Sequence, residues 1–372
     1  MSRETYGRGR ILKVDLTSRN VTTMPIPTDV ARRFIGGEGI NSWLLWEHFL
    51  NVDPRIDPIS PGNVIIAGMG PLGATGYGGG SKMKWTFKSP RTKFFGDSAS
   101  GGTFGANLRW AGYDHLVVTG RAEHPVYIWI NDDTVEIRDA RHLWGKNPEE
   151  ADKLIKEETG FADAETACIG AAGENLVTFA TLQVSRHRAA GRAGAGCVFG
   201  SKNLKAIAAR GTKGIPVSDP AGFLKAIDDM REALNKNERV RSSFKSVGTL
   251  GFFSYYNRTQ NLPYKNLQHS TMSREKADLI NARSYADNLA VRSITCSPGC
   301  ISGCSGQYKI KGDESPAAGK YAGETGHRFE LAAQIGWGAC ATYRTWRRWR
   351  TCGRWAVLSP SITSRFPFAA PS

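Results

Sequence analysis

The chain opens on a two-residue alternation. Apolar positions recur at strand spacing in Arg10-Ile11-Leu12-Lys13-Val14-Asp15-Leu16. After Thr17-Ser18-Arg19-Asn20 the run Val21-Thr22-Thr23-Met24 returns, which predicts a hairpin stopped by Pro25 and Pro27. The spacing then lengthens. Thr28-Asp29 is expected to cap a helix through Arg33 that breaks at Gly36-Gly37-Glu38-Gly39, and a second amphipathic helix is predicted from Asn41 to about Phe49. Short strands are predicted at Asn63 to Ala67, Met83 to Phe87 and Leu116 to Val118, with a short helix near Gly105 to Trp110. Val126-Tyr127-Ile128-Trp129-Ile130 and Val135-Glu136-Ile137 flank Asn131-Asp132-Asp133 as a hairpin. Asn147-Pro148-Glu149-Glu150 carries a capping residue, a first-turn proline and acids at the positive end, so a helix is predicted there, ending at Gly160. Strands at Thr166 to Ile169, Leu176 to Ala180 and Lys205 to Ala209 complete a mixed first domain.

Pro216-Val217-Ser218-Asp219-Pro220 marks a boundary. Beyond it Phe223-Leu224, Ile227 and Met230 recur at helical spacing, and most of the remainder reads as helix and loop. The expected fold class is α+β: a β-sheet-rich domain over 1–212, a mainly helical, truncated domain over 213–340, and a tail over 341–372.

Composition changes this picture in two places. With 372 residues, 40% of them hydrophobic, the chain can fill ordinary cores, and no apolar run is long enough to cross a bilayer. Met1-Ser2-Arg3-Glu4-Thr5 leads straight into the first strand without a signal peptide, so the expected address is the cytoplasm. The net charge of +15 points to polyanion partners, but six of those charges are arginines in 341–372, where no acidic residue occurs.

Three of the seven cysteines, Cys296, Cys300 and Cys304, fall in one Gly/Ser/Pro loop. Converging thiolates need a soft metal to neutralise them, so the loop reads first as ligands of an iron–sulfur cluster. Zinc, which usually takes paired Cys-x-x-Cys hooks or histidines, and inert thiols stay open as alternatives. Cys168 and Cys197 sit beside core-like strands and read as packing thiols.

Four glycine-rich segments fall at 36–39, 76–82, 100–105 and 188–196. None is a clean nucleotide fingerprint, and each alone reads as turns needing positive φ. Together, two of them with basic residues, they suggest bare backbone N–H groups and cations gripping a phosphorylated ligand, with Arg188 and Arg192 the better candidates.

Three ordered blocks carry a resemblance. The first joins Arg8-Gly9-Arg10-Ile11-Leu12-Lys13-Val14-Asp15-Leu16 to Phe34-Ile35-Gly36-Gly37. The second runs from Lys88-Ser89-Pro90 through Gly101-Gly102-Thr103-Phe104-Gly105 to Ala111-Gly112-Tyr113-Asp114. The third joins Ile169-Gly170-Ala171-Ala172-Gly173-Glu174-Asn175-Leu176, His187-Arg188-Ala189-Ala190-Gly191-Arg192 and Gly200-Ser201-Lys202-Asn203-Leu204-Lys205-Ala206. In these blocks the chain resembles the aldehyde ferredoxin oxidoreductase family of tungsten, occasionally molybdenum, pterin enzymes.

The resemblance implies a sheet-rich saddle under a bis-pyranopterin cofactor. It implies phosphate contact at Lys82, where the family usually has arginine, and pterin contact at Ala99, Ser100 and Gly101, with Ala99 in place of asparagine. It puts Arg188, Gly191 and Gly194 around the pterins and gives Ala189 a carbonyl toward the bridging magnesium. It assigns Cys296, Cys300 and Cys304 to a 4Fe-4S cluster, although the first spacing is one residue longer than the family's. Glu330 aligns with a glutamate beside the metal, where a carboxylate moves a proton; a surface or helix-start charge is the bland alternative. The implied activity is oxidation of an aldehyde to a carboxylic acid, with ferredoxin as the electron acceptor. A tungsten reductase subunit acting on an aromatic acyl-CoA thioester is the sibling reading, and a homo-oligomer is among the expected assemblies.

The likeness stops near Cys340, where Thr345-Trp346-Arg347-Arg348-Trp349-Arg350 begins. The expectation for 341–372 is an aberrant or disordered segment that leaves the family's C-terminal portion missing, with the fourth cluster ligand unassigned. Interleaved Arg and Trp also define the rival from another class, a basic nucleic-acid-binding protein.

Overall fold

The computed structural model describes residues 9–185, 188–310, 323, 325–328 and 330–340. The Arg/Trp tail, Cys352 and His187 lie outside the described residues. The chain divides into two compact units, Met1–Ile227 with Ser297–Gly299, and Asp228–Cys296 with Cys300–Ser372.

Two six-stranded sheets build the first unit. Strands β1 (Arg10–Asp15), β2 (Asn20–Pro25), β3 (Ile65–Met69), β4 (Met83–Lys88), β5 (Phe95–Ser100) and β6 (His115–Thr119) lie in the order β2-β1-β6-β3-β4-β5. Strands β7 (Val126–Asn131), β8 (Thr134–Asp139), β9 (Glu165–Cys168), β10 (Leu182–Val184), β11 (Arg188–Ala190) and β12 (Leu204–Arg210) lie in the order β11-β10-β9-β12-β7-β8. Helices α1 (Thr28–Phe34), α2 (Glu38–Asn51), α3 (Phe104–Ala111), α4 (Pro148–Thr159), α5 (Ala171–Glu174) and α6 (Ala195–Ser201) connect them.

Strand parity sorts the side chains into layers. Leu12, Val14, Ile65, Met83, Trp85 and Val118 of the first sheet share one core with Ile128, Ala167, Leu182 and Ile207 of the second, filled in by Phe104 of α3 and Phe199 of α6. The other face of the first sheet, with Ile11, Ile66 and Val117, packs under Ile40, Leu44 and Leu45 of α2. The other face of the second, with Tyr127, Trp129 and Ala208, packs on Ala151 and Ile155 of α4. Each aliphatic side chain contributes about 1.5–3 kcal/mol on burial, and a one-residue slip would send every side chain of a strand into the opposite layer, whose packing it does not fit, so the register is fixed.

Local signals explain α4 fully. The Asn147 side chain accepts hydrogen bonds from the N–H groups of Glu149 and Glu150, the Glu150 carboxylate accepts from the Asn147 N–H, and Gly160 at φ +77 ends the helix. At α1 the preceding residue is Pro27, with no side-chain cap, so Thr28 and Asp29 belong to the first turn rather than capping it. The strand expected at Leu176 to Ala180 is instead a loop after α5, with Leu176 at φ +56, and the ladder resumes at Leu182. Strand β5 had no alternating apolar signal: its sequence is Phe-Gly-Asp-Ser-Ala-Ser.

The division between the units falls within α7 (Pro220–Lys236). The second unit adds α8 (Phe252–Arg258), α9 (Arg274–Asp278), α10 (Ala282–Asn288) and α11 (Leu331–Ala333), and a π-helical segment over Gln334–Cys340. Beside the expected helices it holds a three-stranded sheet of β13 (Ala290–Ile294), β14 (Ser305–Lys309) and β15 (Thr325–His327). Its core gathers Leu250, Phe253, Leu262, Ile280, Tyr285 and Ile310. Among the described residues, no helix is long and apolar enough to cross a membrane.

Candidate functional site

Strand β5 is one margin of the first sheet, and β11 is one margin of the second. A margin carries main-chain N–H and C=O groups that no further strand takes up. Two of the four glycine-rich segments, 100–105 and 188–196, lie at these margins, while 76–82 leads into the neighbouring β4 and 36–39 joins α1 to α2.

Lys82 is exposed immediately before β4, and Met83 pairs with Ser100, so Lys82 and Gly101 lie at the same end of the β4–β5 ladder. Ser100 is turned into the core, where its hydroxyl accepts from the indole N–H of Trp85 at 3.0 Å. It therefore offers a ligand main chain rather than a hydroxyl. Ala99 is exposed and Gly101 is buried.

Gly102, at φ +99, brings the two margins together. A Cβ there would lie 2.5 Å from the Ser185 Oγ and 3.5 Å from the Arg188 Cγ, so only glycine fits. The Ser185 Oγ accepts from the N–H groups of Thr103 and Phe104 at 2.9 and 2.8 Å. Arg188 and Ala189 are half-buried on β11, where Ala189 pairs with Gln183. The N–H of Arg192 donates to the Ser98 Oγ at 2.9 Å, and the Ser89 hydroxyl donates to the Ala193 carbonyl at 2.7 Å. Gly194, at φ +86, leads into α6 with its Cα against the Thr178 carbonyl, and Gly191 is half-buried just before it. Of the cofactor-binding positions expected from sequence, Ala99, Ser100, Gly101, Arg188, Ala189 and Gly191 lie along the two facing margins, whereas Lys82 stands before β4 at its Gly101 end and Gly194 lies beside Pro90, beyond the other end of β4.

Sequence reasoning missed the parts that hold these segments. Arg109, in the last turn of α3 and 2% exposed, pairs with Asp114 at 2.9 Å. It also donates to the carbonyls of Gly70 (3.2 Å), Pro71 (2.8 Å) and Gly73. Trp110 donates to the Ala74 carbonyl at 3.1 Å. One end of α3 therefore anchors the turn that leads to Lys82, and its other end meets Ser185. Both sets of contacts are long-range, and no local signal marks them.

In the second unit, Ile294 pairs with Ser305, which closes the base of the loop holding the three half-buried thiols. A hydrogen bond with Cys296, and then burial, push the Cys300 thiol up from its ordinary value. Among the described residues, no group of three or more His, Cys, Asp or Glu side chains is disposed to hold a metal ion. Cys168 and Cys197 are buried, and burial pushes their thiols up to about 12 and about 11, which keeps them protonated and inert. The Cys340 thiol donates to the Pro263 carbonyl at 3.3 Å. Glu330 is exposed at the start of α11, where its Oε2 accepts from the Thr249 hydroxyl at 2.7 Å.

The family model for the aldehyde ferredoxin oxidoreductase N-terminal domain matches residues 11–211, and that for domains 2 and 3 matches residues 225–342. The chain belongs to this family. A tungsten-containing aldehyde ferredoxin oxidoreductase of Pyrococcus furiosus is 40% identical over 264 residues, 71% of this chain and 43% of that protein. One from Thermococcus kodakarensis is 38% identical over 306 residues, 82% of this chain and 50% of that protein. The chain spans about half the length of the curated relatives it matches. The solved active site complex BamBC of benzoyl coenzyme A reductase with 1,5 dienoyl-CoA is 27% identical, with a TM-score of 0.78, over 95% of this chain and 53% of that chain. The match over 11–211 covers both sheets and every margin residue named above.

Proposed function

We propose that this chain seats a tungsten or molybdenum bis-pyranopterin and belongs to an oxidoreductase that converts an aldehyde and water to a carboxylic acid, two protons and two electrons, with ferredoxin as acceptor. The junction of the two sheet margins at Gly102, Ser185 and Arg188 carries this reading. The residues present fit such a group, because unpaired margin main chain suits a heterocycle rich in donors and acceptors, and cations suit its phosphates. Lys82 and Arg188 would hold the phosphates, Ser100, Gly101, Gly191 and Gly194 would line the rings with bare backbone, and the carbonyls of Ala99 and Ala189 would face the bridging magnesium. Lys82 supplies charge without the bidentate fork that arginine gives.

The thiolates of Cys296, Cys300 and Cys304 suit a 4Fe-4S cluster by donor type. When bound, the pterin metal supplies the two-electron exchange with substrate and the cluster passes electrons on singly. Glu330 takes or returns the proton at the hydrated carbonyl, and Thr249 orients its carboxylate. The setting is anaerobic metabolism in the cytoplasm, where thiols stay reduced.

The test is anaerobic purification of the chain, elemental analysis for tungsten, molybdenum and iron, and low-temperature EPR. Bound metal with a cluster signal is the expected result. Protein that never takes up tungsten or molybdenum sinks the reading. A second reading, a reductase subunit acting on an aromatic acyl-CoA, is favoured by the 0.78 TM-score over 95% of the chain. Turnover with the thioester and none with aldehydes would select it.

A further inference from the structure

Ser185 carries a strained backbone at φ +48, a conformation uncommon outside glycine. Its hydroxyl oxygen accepts two main-chain N–H groups, from Thr103 and Phe104, 82 and 81 residues away in sequence. Those donors open α3, whose preceding residue Thr103 makes no side-chain cap of its own. The first N–H groups of a helix need partners, and an unmet buried donor costs roughly 1–3 kcal/mol. A cap from within the helix would satisfy α3 alone. A cap from the far end of β10 instead makes α3 depend on where the β10–β11 turn lies, and the same oxygen packs against Gly102.

We propose that Ser185 is a positioning residue of the cofactor seat: its hydroxyl holds the Arg188 strand in register against the Gly101–Gly102 turn. The inference rests on the cofactor reading above and adds a residue that touches no ligand. Without the hydroxyl, the bonds of Arg192 to Ser98 and of Ser89 to Ala193 still tie the segment further on, but the Arg188 end loses its reference to the Gly101–Gly102 turn, so groups that must grip one ligand together there no longer do so.

Ser185→Gly isolates the effect, because glycine removes the oxygen while relieving the left-handed strain. Wild type and S185G are purified anaerobically and compared for tungsten or molybdenum per chain and for melting temperature. A second arm labels Arg188 with phenylglyoxal, with and without inorganic pyrophosphate, read by peptide mass. S185G is expected to melt within about 4 °C of wild type, to hold several-fold less metal, and to lose the pyrophosphate protection of Arg188 that wild type shows. Equal metal content and equal protection overturn the proposal. If wild type holds no metal, the cofactor reading fails and the pyrophosphate arm decides alone: protection lost in S185G supports a positioning role, and protection equal in both, or absent in wild type, overturns it. Should S185G melt far lower, Ser185→Asn, which tolerates a positive φ and carries an acceptor oxygen, replaces it: metal and protection at wild-type level support the proposal, and their loss in a variant that melts like wild type overturns it.

Discussion

The ammonium of Lys202 donates to the Asn63 carbonyl at 2.6 Å, from a side chain with no exposure to solvent. It also donates to the carbonyls of Gly120 at 2.8 Å and Pro61 at 3.4 Å. Lys88 reaches the carbonyls of Pro54 and Ile56, and Arg121 reaches that of Ile59 at 2.7 Å. The loop between α2 and β3 is thus held by cations on its main chain.

Burial, helped by the Arg121 charge, pulls Lys202 down to about 7 from an ordinary value of 10.5. The folded value lies below the unfolded one, so unfolding takes up a proton between them. This site's contribution is complete above the unfolded value and is lost as pH falls toward 7. Urea unfolding of wild type and Lys202→Met should give a stability difference that moves in favour of wild type by about 1 kcal/mol per unit from pH 7 to 10. A flat difference would mean that Lys202 keeps its ordinary affinity for the proton.

His115 sets a second window. Its ring is fully buried, and burial, with the Arg109 charge, lowers it to about 3. Asn41 donates to Thr86 and to the Lys84 carbonyl, leaving its Oδ1 to accept from the His115 Nδ1 at 2.8 Å, which puts a proton on Nδ1, while burial keeps the ring neutral. Stability from this site is present above pH 6.5 and falls as pH drops toward 3. His115→Gln should flatten the stability profile between pH 6 and 4 by about 1.4 kcal/mol per pH unit. Denaturant titrations across that range measure the slope.

The thiols should separate into two classes. Alanine at Cys296, Cys300 or Cys304 should each lower iron per chain in anaerobically purified protein, while alanine at buried Cys168 should leave it unchanged. Equal iron in all four variants would leave the loop without a metal role.

Asn147→Ala removes the acceptor for two N–H groups at the start of α4. The expected cost is about 1 kcal/mol in the unfolding free energy, measured by chemical denaturation.

The sequence was legible where the cause is local. Asn147, Pro148, Glu150 and Gly160 write both ends of α4 within a few positions, and β1 and β7 show as apolar runs because both faces of each are packed, Leu12 and Ile128 in the shared core, Ile11 under α2 and Trp129 on α4. The failures share a cause too. β5 is polar because it forms a margin, β13 and β14 read Ala-Val-Arg-Ser-Ile and Ser-Gly-Gln-Tyr-Lys with little alternation, and Leu176 is apolar yet 39% exposed in a turn. The site was readable as far as its glycines and arginines, through family likeness. Ser185 and Arg109 were not, since each acts through main-chain atoms distant in sequence.

The lysines fastened to carbonyls bear on how the chain meets other charged molecules. Lys88 and Lys202 count fully toward the formal +15, yet both are buried with their amino groups on main-chain carbonyls, and burial pulls Lys202 down to about 7, where it is only partly charged. An approaching polyanion therefore meets a weaker field than the residue tally implies. Part of what looks like an affinity for nucleic acid is internal scaffolding, which added salt would screen only weakly.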